Sequence, residues 1–276
     1  MRVRELAVGG FEHWDAYVQR TNESTFFHRA GWKTVLERAF GHQTHFLMAR
    51  EGDNILGILP LARIKSALFG NSLSSLPFCV YGGIVADSTE AASALREAAC
   101  QLAERIKVGA LELRTDRPSD AGWPVKELYY TFRKSIEPDD DINLKAIPNR
   151  QRAMIRKGFK EGLHSEWDSG VDRLYRVYAE SVRNLGTPVF AKKYLRILRE
   201  VFADDCSVLM ITHEGQDVAG VMSFYFRGEV LPYYGGSTAA ARTIKGVNHV
   251  MYWELMRRSR EQGCTVFDFG RSKADT

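Results

Sequence analysis

Cysteine is scarce and scattered in this chain. Cys79, Cys100, Cys206 and Cys264 stand at no paired spacing, with no histidine at ligand intervals, which argues against both a disulfide framework and a zinc site. No apolar run approaches the ~20 residues that cross a bilayer, and the opening MRVRELAVGG lacks the apolar stretch of a signal peptide. These absences make the expected location cytoplasmic. Missing too are HExxH, a paired CxxC and a GxSxG elbow, so zinc-protease, thiol-redox and serine-hydrolase chemistry are not indicated. The formal charge is only +4, too small to name a partner, so where the cations sit matters more than their total. With 276 residues, 45% hydrophobic and 26% charged, the composition is that of globular protein and the length favours two domains.

What is present is a repeat. The segment NESTFFHRAGWKTVLERAFGHQTHFLM from Asn22 aligns without a gap on NLGTPVFAKKYLRILREVFADDCSVLM from Asn184. Trp32 meets Tyr194, Leu36 meets Leu198, Phe40 meets Phe202, and Leu47 and Met48 meet Leu209 and Met210. Beyond it, AREGDNILGILPL from Ala49 and ITHEGQDVAGVMSF from Ile211 each read as two apolar strands around a Glu-Gly turn. LPFCVYGG ending at Gly83 parallels VLPYYGG ending at Gly236. Each is expected to form a glycine turn leading into a helix and a short strand, 111–114 in one copy and 267–270 in the other. The fold class expected is therefore α+β, two tandem units with mixed sheets. The expected boundaries are residues 1–141, a basic connector at 142–165, and a second unit at 166–276. The first copy is expected to continue into further strands through VKELYYTFRKSIE, whereas the second stops just past its matching strand. The second sheet is thus expected to lack its last strands, leaving an open edge past Phe269 that would recruit a second chain into a homodimer.

Two clusters of cations stand out. Ile244, Val247, Met251 and Leu255 recur at three- and four-residue steps and predict a helix. Its start carries Arg242, Lys245, Gly246 and Asn248 with no acid before Glu254. Unpaired backbone N–H groups beside cations make an anion site. The matching helix of the first copy starts at Asp87, Ser88 and Glu90, acids that repel phosphate from the same donors. Between the copies, Pro148 and Asn149 open a second helix that carries Arg150, Arg152, Arg156, Lys157 and Lys160. This array is either a solvated face or a grip on phosphates; with few aromatics beyond Phe159, base stacking is not indicated.

In order and spacing these motifs, NLKAIPNRQRAMIRKG from Asn143, LGTPVFAKKYL from Leu185, LPYYGGS from Leu231 and the run from Ile244 through FDFGRSK to Lys273, resemble the FemAB family of tandem GNAT-like N-acyltransferases. The match is nearest to the members associated with PEP-CTERM and exosortase systems. In such relatives the chain runs on past FDFGRSK, so this chain reads as truncated at its C-terminus. The resemblance implies transfer of an acyl or aminoacyl group to an amine of a cell-envelope, peptidoglycan or exopolysaccharide precursor. It implies no tightly bound cofactor and no metal, with acyl-coenzyme A or aminoacyl-tRNA as co-substrate and a small-molecule, lipid-linked or nucleotide-linked amine as acceptor. Two rivals stay open: an acyl-coenzyme A N-acetyltransferase acting on a sugar amine, and a non-catalytic module binding nucleic acid or an anionic surface.

An amine attacking an ester or thioester needs positioning, a base and donors for the oxyanion. Arg242, Lys245, Gly246 and Asn248 are assigned to co-substrate phosphates. Arg150, Arg152, Arg156, Lys157, Thr187, Gly235, Gly236 and Arg271 are assigned to the acceptor. Tyr233 and Tyr234 precede the glycines, and alternation along a strand sends one phenol inward and one outward, where one protonates the leaving group or both simply pack. Asp268, between Phe267 and Phe269 with Arg271 to hold it ionised, is the expected base or amine anchor. Its counterpart Glu112 beside Arg114 leaves a structural ion pair as the other reading.

Overall fold

A computed structural model describes residues 1–7, 9–66, 70–115, 122–127 and 129–273. The chain divides into two compact units, Met1–Lys126 and Glu127–Thr276. The first runs β1 (Arg2–Glu5), α1 (Phe11–Arg20), α2 (Gly31–Phe40), β2 (Gln43–Glu51), β3 (Asn54–Ser66), β4 (Gly70–Ser75), β5 (Val85–Ala86), α3 (Thr89–Arg105) and β6 (Ala110–Glu112). Its sheet has the order β1-β2-β3-β4-β6, with β5 also on β3, and is antiparallel except for β4 and β6. Ala91, Leu95, Ala99 and Leu102 fall on one face of α3 and pack on Leu47, Ala49, Leu59, Leu61 and Leu73 of the sheet, the apolar stripe that a 3.6-residue period places together.

The second unit runs β7 (Tyr129–Ser135), α4 (Asp140–Lys145), α5 (Asn149–Lys160), β8 (His164–Asp168), α6 (Asp172–Asn184), α7 (Lys192–Phe202), β9 (Cys206–His213), β10 (Gln216–Phe226), β11 (Glu229–Ser237), α8 (Val247–Glu261) and β12 (Val266–Lys273). Six strands are ordered β7-β12-β11-β10-β9-β8, with only β11 and β12 parallel. Val247, Val250, Met251, Leu255 and Met256 of α8 pack on Leu209, Ile211, Val221, Val230 and Phe267. Ile244 joins this core from the turn before the helix, which begins three residues later than the periodicity alone predicts. Gly246, at φ +82°, sets that start.

The repeat is real in three dimensions. Trp32 and Tyr194, Leu36 and Leu198, Leu47 and Leu209, and Met48 and Met210 are all buried at equivalent places in α2 and α7, β2 and β9. Both predicted hairpins form, β2–β3 and β9–β10. Gly52, Glu214 and Gly215 take the positive φ that such tight turns demand.

Three expectations are corrected. First, YYTFRKS does not extend the first copy. It forms β7, whose residues 129–135 pair antiparallel with β12, so the division falls after Lys126 rather than residue 141, and 142–165 is built into the second unit. Of the expected continuation past Leu113, residues 116–121 and 128 lie outside the described residues. Second, β12 is paired on both sides, by β11 and by β7. The open edge expected past Phe269, with the homodimer argued from it, is therefore occupied by a strand of the same chain. Third, Gly235 and Gly236 are not a turn: they lie inside β11, opposite Val221 and Gly220.

Candidate functional site

Between β11 and β12 the second sheet opens. The two parallel strands pair only at Glu229 with Val266 and Val230 with Phe267. Beyond this, β11 continues on β10 to Ser237 and β12 continues on β7 to Lys273. The result is a wedge that widens toward the C-terminal ends of both strands. Crevices outside those ends are where open α/β sheets hold ligands.

A bulge reshapes one wall. Met222 faces Tyr234 and Ser223 faces Pro232, so the register passes over Tyr233. A bulge breaks the two-residue alternation, and the expected separation of the two phenols fails with it. The Tyr233 and Tyr234 rings meet edge to face at 4.8 Å. Tyr234 is buried and its hydroxyl is 2.8 Å from that of Tyr194 on α7. Phe190 and Tyr178 complete the cluster, with Tyr234 centroids at 6.0 and 5.9 Å. Burial pushes the Tyr178 phenol up. The glycines serve packing: a Cβ on Gly236 would sit 2.5 Å from the Ser181 side chain, so glycine lets α6 lie against β11. Thr187 lies in the exposed α6–α7 loop with its N–H bonded to Val182 O at 3.2 Å.

The start of α8 falls at Val247, just past Arg242 and Lys245. It has no side-chain cap and no acid in its first turn, and Arg242, Lys245 and Asn248 are exposed. The basic helix α5 lies directly beside it. A Cβ on Gly246 would come within 2.2 Å of Met154 O, and one on Gly158 within 2.5 Å of the Val250 side chain. Two glycines thus let the helices touch. Ile155 and Gly158 form the buried stripe of α5, while Arg150, Arg156 and Lys157 are exposed. Arg150 and Lys157 are two turns apart on one flank, about 10 Å along the axis. Among the described residues no carboxylate pairs with these three or with Arg242 or Lys245. Arg152 is committed locally, to Lys145 O at 3.2 Å and to the Asn149 side chain.

In the first unit the matching helix start is capped and acidic. The Ser88 hydroxyl accepts from Ala91 N at 3.2 Å, Glu90 occupies the first turn, and its own backbone N–H and Ser88 hold its carboxyl below the usual range. Asp87 is held by the Tyr17 hydroxyl at 2.9 Å and by Arg20 at 3.5 Å.

Asp268 is buried, but its partner is not Arg271. Oδ2 accepts from Arg133 Nε of β7 at 3.0 Å and Oδ1 from Gly270 N at 2.7 Å. Arg271 instead lies over the Tyr129 ring at 4.5 Å. The counterpart Glu112 is an exposed pair with Arg114 at 2.7 Å, a surface contact. Two residues escaped the sequence reading. Arg133 lies 135 residues away in the chain, and Glu229, whose Oε2 is 3.2 Å from the same Arg133 Nε, is marked only by being an acid at the start of an apolar strand. A cavity of ≈ 760 Å³ at the opposite end of the sheet, lined by Trp167, Arg199, Tyr225, Arg227 and their neighbours, includes none of the predicted site residues.

Residues 149–275 match the acetyltransferase (GNAT) domain model. No curated protein matches the chain. Among solved structures the chain is similar to FemX, at 15% identity over all of this chain and 90% of that one with a TM-score of 0.76. It is similar to the tandem GNAT protein of the clavulanic acid biosynthesis pathway, at 10% identity, 100% and 90% coverage and TM-score 0.60. It is also similar to the C-terminal domain of a putative lysylphosphatidylglycerol synthetase from Agrobacterium fabrum, at 15% identity, 96% and 79% coverage and TM-score 0.56. Identities of this size establish the fold: two GNAT units in tandem.

Proposed function

We propose that this chain, whose fold is that of tandem GNAT proteins, is an N-acyltransferase that moves an acyl or aminoacyl group from a phosphate-bearing ester or thioester to an amine on a cell-envelope or polysaccharide precursor in the cytoplasm. The observation that carries this reading is the uncapped, acid-free start of α8 lying beside the wedge between β11 and β12. Backbone donors there and Arg242, Lys245 and Asn248 hold the donor's phosphates. The activated carbonyl extends into the wedge. Exposed Arg150, Arg156 and Lys157 take a second anionic group, from the acceptor or from a tRNA backbone.

The chemistry then requires an amine nitrogen to attack the carbonyl, donors for the oxyanion and an acceptor for the amine proton. Tyr233, Tyr234, Gly235, Gly236 and Thr187 line the acceptor side, with Arg271 at the end of β12. Tyr234 orients through its contact with Tyr194 and is the phenol placed to protonate the leaving group. Asp268, fixed by Arg133 and Gly270 N, anchors the acceptor side as a buried anion. Acyl-coenzyme A is the donor usual for the GNAT fold, and aminoacyl-tRNA is the alternative that the α5 cations favour.

The test is thermal stabilisation by coenzyme A, acetyl-coenzyme A, a UDP-linked muropeptide and aminoacyl-tRNA, because ligands that bind only the folded state raise Tm. A shift with coenzyme A assigns the thioester donor, and one with tRNA or muropeptide assigns the FemAB-type reaction. No shift with any of them would reject the transferase reading in favour of an anion-binding module.

A further inference from the structure

The cavity of ≈ 760 Å³ at the far end of the second sheet has no part in the transferase reading, and its volume is that of a pocket for a small ligand. Asp168 closes β8 opposite Val208. Trp167, the residue before it, pairs with Leu209 of the core under α8 and lies beneath the Arg258 guanidinium at 5.6 Å. Alternation therefore turns Asp168 and Val208 to the other face. Phe226 shares that face, because Phe224 two residues earlier meets Phe202 of α7 at 5.9 Å. Arg199 comes to the same cavity from the last turn of α7.

Two charged groups in this lining have an atom left over. Asp168 Oδ1 accepts from Gly170 N at 3.1 Å, but Oδ2 is buried and has no hydrogen-bond partner among the described residues. Arg199 donates through Nη1 to Ala203 O, yet its Nε is buried and equally unpartnered. A buried charged atom without a partner is costly, and one of each sign facing one cavity points to a ligand that satisfies both. Opposite charges also meet at the wall. The Cys206 thiol, pushed up to about 12 by burial, is pulled down by Arg199 and raised by Asp205.

The sign of the lining narrows the ligand. Asp168, Asp204 and Asp205 stand against Arg199 and Arg227. Three carboxylates disfavour a phosphate or a nucleotide, and two guanidinium groups disfavour a polyamine. A zwitterion meets neither obstacle. We propose that this cavity binds a free α-amino acid with an apolar side chain, at a site separate from the wedge and independent of the transferase reading. The ammonium donates to Asp168 Oδ2 and the carboxylate accepts from Arg199 Nε, with the side chain against Val208 and Phe226. Both charges of such a ligand hang from one carbon, so one small molecule fills both vacant hydrogen-bonding positions.

Calorimetric titration of the full chain with leucine, methionine and phenylalanine tests this. Leucine should bind saturably, and inorganic phosphate should not compete with it. N-acetyl-leucine and leucine methyl ester each lack one of the two charges and should bind about tenfold or more weakly. Asp168→Asn keeps an acceptor for Gly170 N but turns the other oxygen into a donor, so it should lose leucine binding by a similar factor with Tm unchanged. Arg199→Gln should lose it likewise. The proposal is overturned if none of the three amino acids binds, if N-acetyl-leucine binds as well as leucine, or if phosphate displaces it. Leucine binding that survives both substitutions overturns it too. If a substitution lowers Tm, the leucine derivatives on the unaltered chain still decide.

Discussion

At Gly246 one residue sets where α8 begins. Its φ is +82° and an added Cβ would lie 2.2 Å from Met154 O of α5, so both its own backbone and its neighbour forbid a side chain. Gly246→Ala should destabilise by about 2–3 kcal/mol, read as a lower urea midpoint. Gly263→Ala, at φ +86° with open space around it, should cost only the backbone strain, about 1 kcal/mol. Equal losses would show that α5 does not press on Gly246. The glycine and its cations were legible in the sequence because a helix start is a local feature. Arg133 was not, because which residue meets Asp268 depends on the pairing of β7 with β12 across more than a hundred residues of chain. The Tyr pair was misread for a related reason: a bulge cancels the alternation on which strand reasoning rests.

Among the elements, α8 was visible from its period and β7 was assigned to the wrong sheet. Period reports which side of an element is apolar, not which sheet it joins, and YYTFRKS follows the first copy in sequence while completing the second in space. What fastens α8 was equally invisible. Glu254 accepts from Ser165 of β8 at 2.5 Å and from Arg257 at 3.1 Å, with Arg258 at 3.6 Å. Burial pushes this carboxyl up, but the hydrogen bonds from Arg257 and Ser165 outweigh it and the net direction is down. A folded-state value below the unfolded one adds stability above the ordinary Glu range, lost as pH falls through the folded value. Glu254→Gln should therefore cost about 2 kcal/mol at pH 7 and progressively less toward pH 3. Urea midpoints of both proteins at the two pH values check this, and a difference that is constant with pH would remove the ionic part of the fastening.

For the whole molecule, the tandem repeat was readable from Trp32 and Tyr194 to Met48 and Met210, since copies of one unit keep the same buried positions. The boundary was not, because β7 sits in the second sheet. A fragment starting at Glu127 keeps β7 and should fold soluble, whereas one starting at Ile142 strips it from β12, leaves Asp268 without Arg133 and exposes a strand edge that recruits other chains. Comparable solubility of the two by gel filtration would mean that β7 is dispensable. Donor binding should also weaken with salt, as expected where several exposed cations meet phosphates.

The most direct test of the transferase account is calorimetric binding of coenzyme A to the wild type, Lys245→Glu and Ser88→Asp. The start of α8 has no side-chain cap and no acid in its first turn and carries exposed Lys245 just before it, while that of α3 is already capped and acidic. Lys245→Glu should therefore weaken binding at least tenfold, about 1.4 kcal/mol, while Ser88→Asp, which keeps a capping side chain, should leave it unchanged. Equal affinities for all three proteins would contradict the assignment of the donor's phosphates to α8.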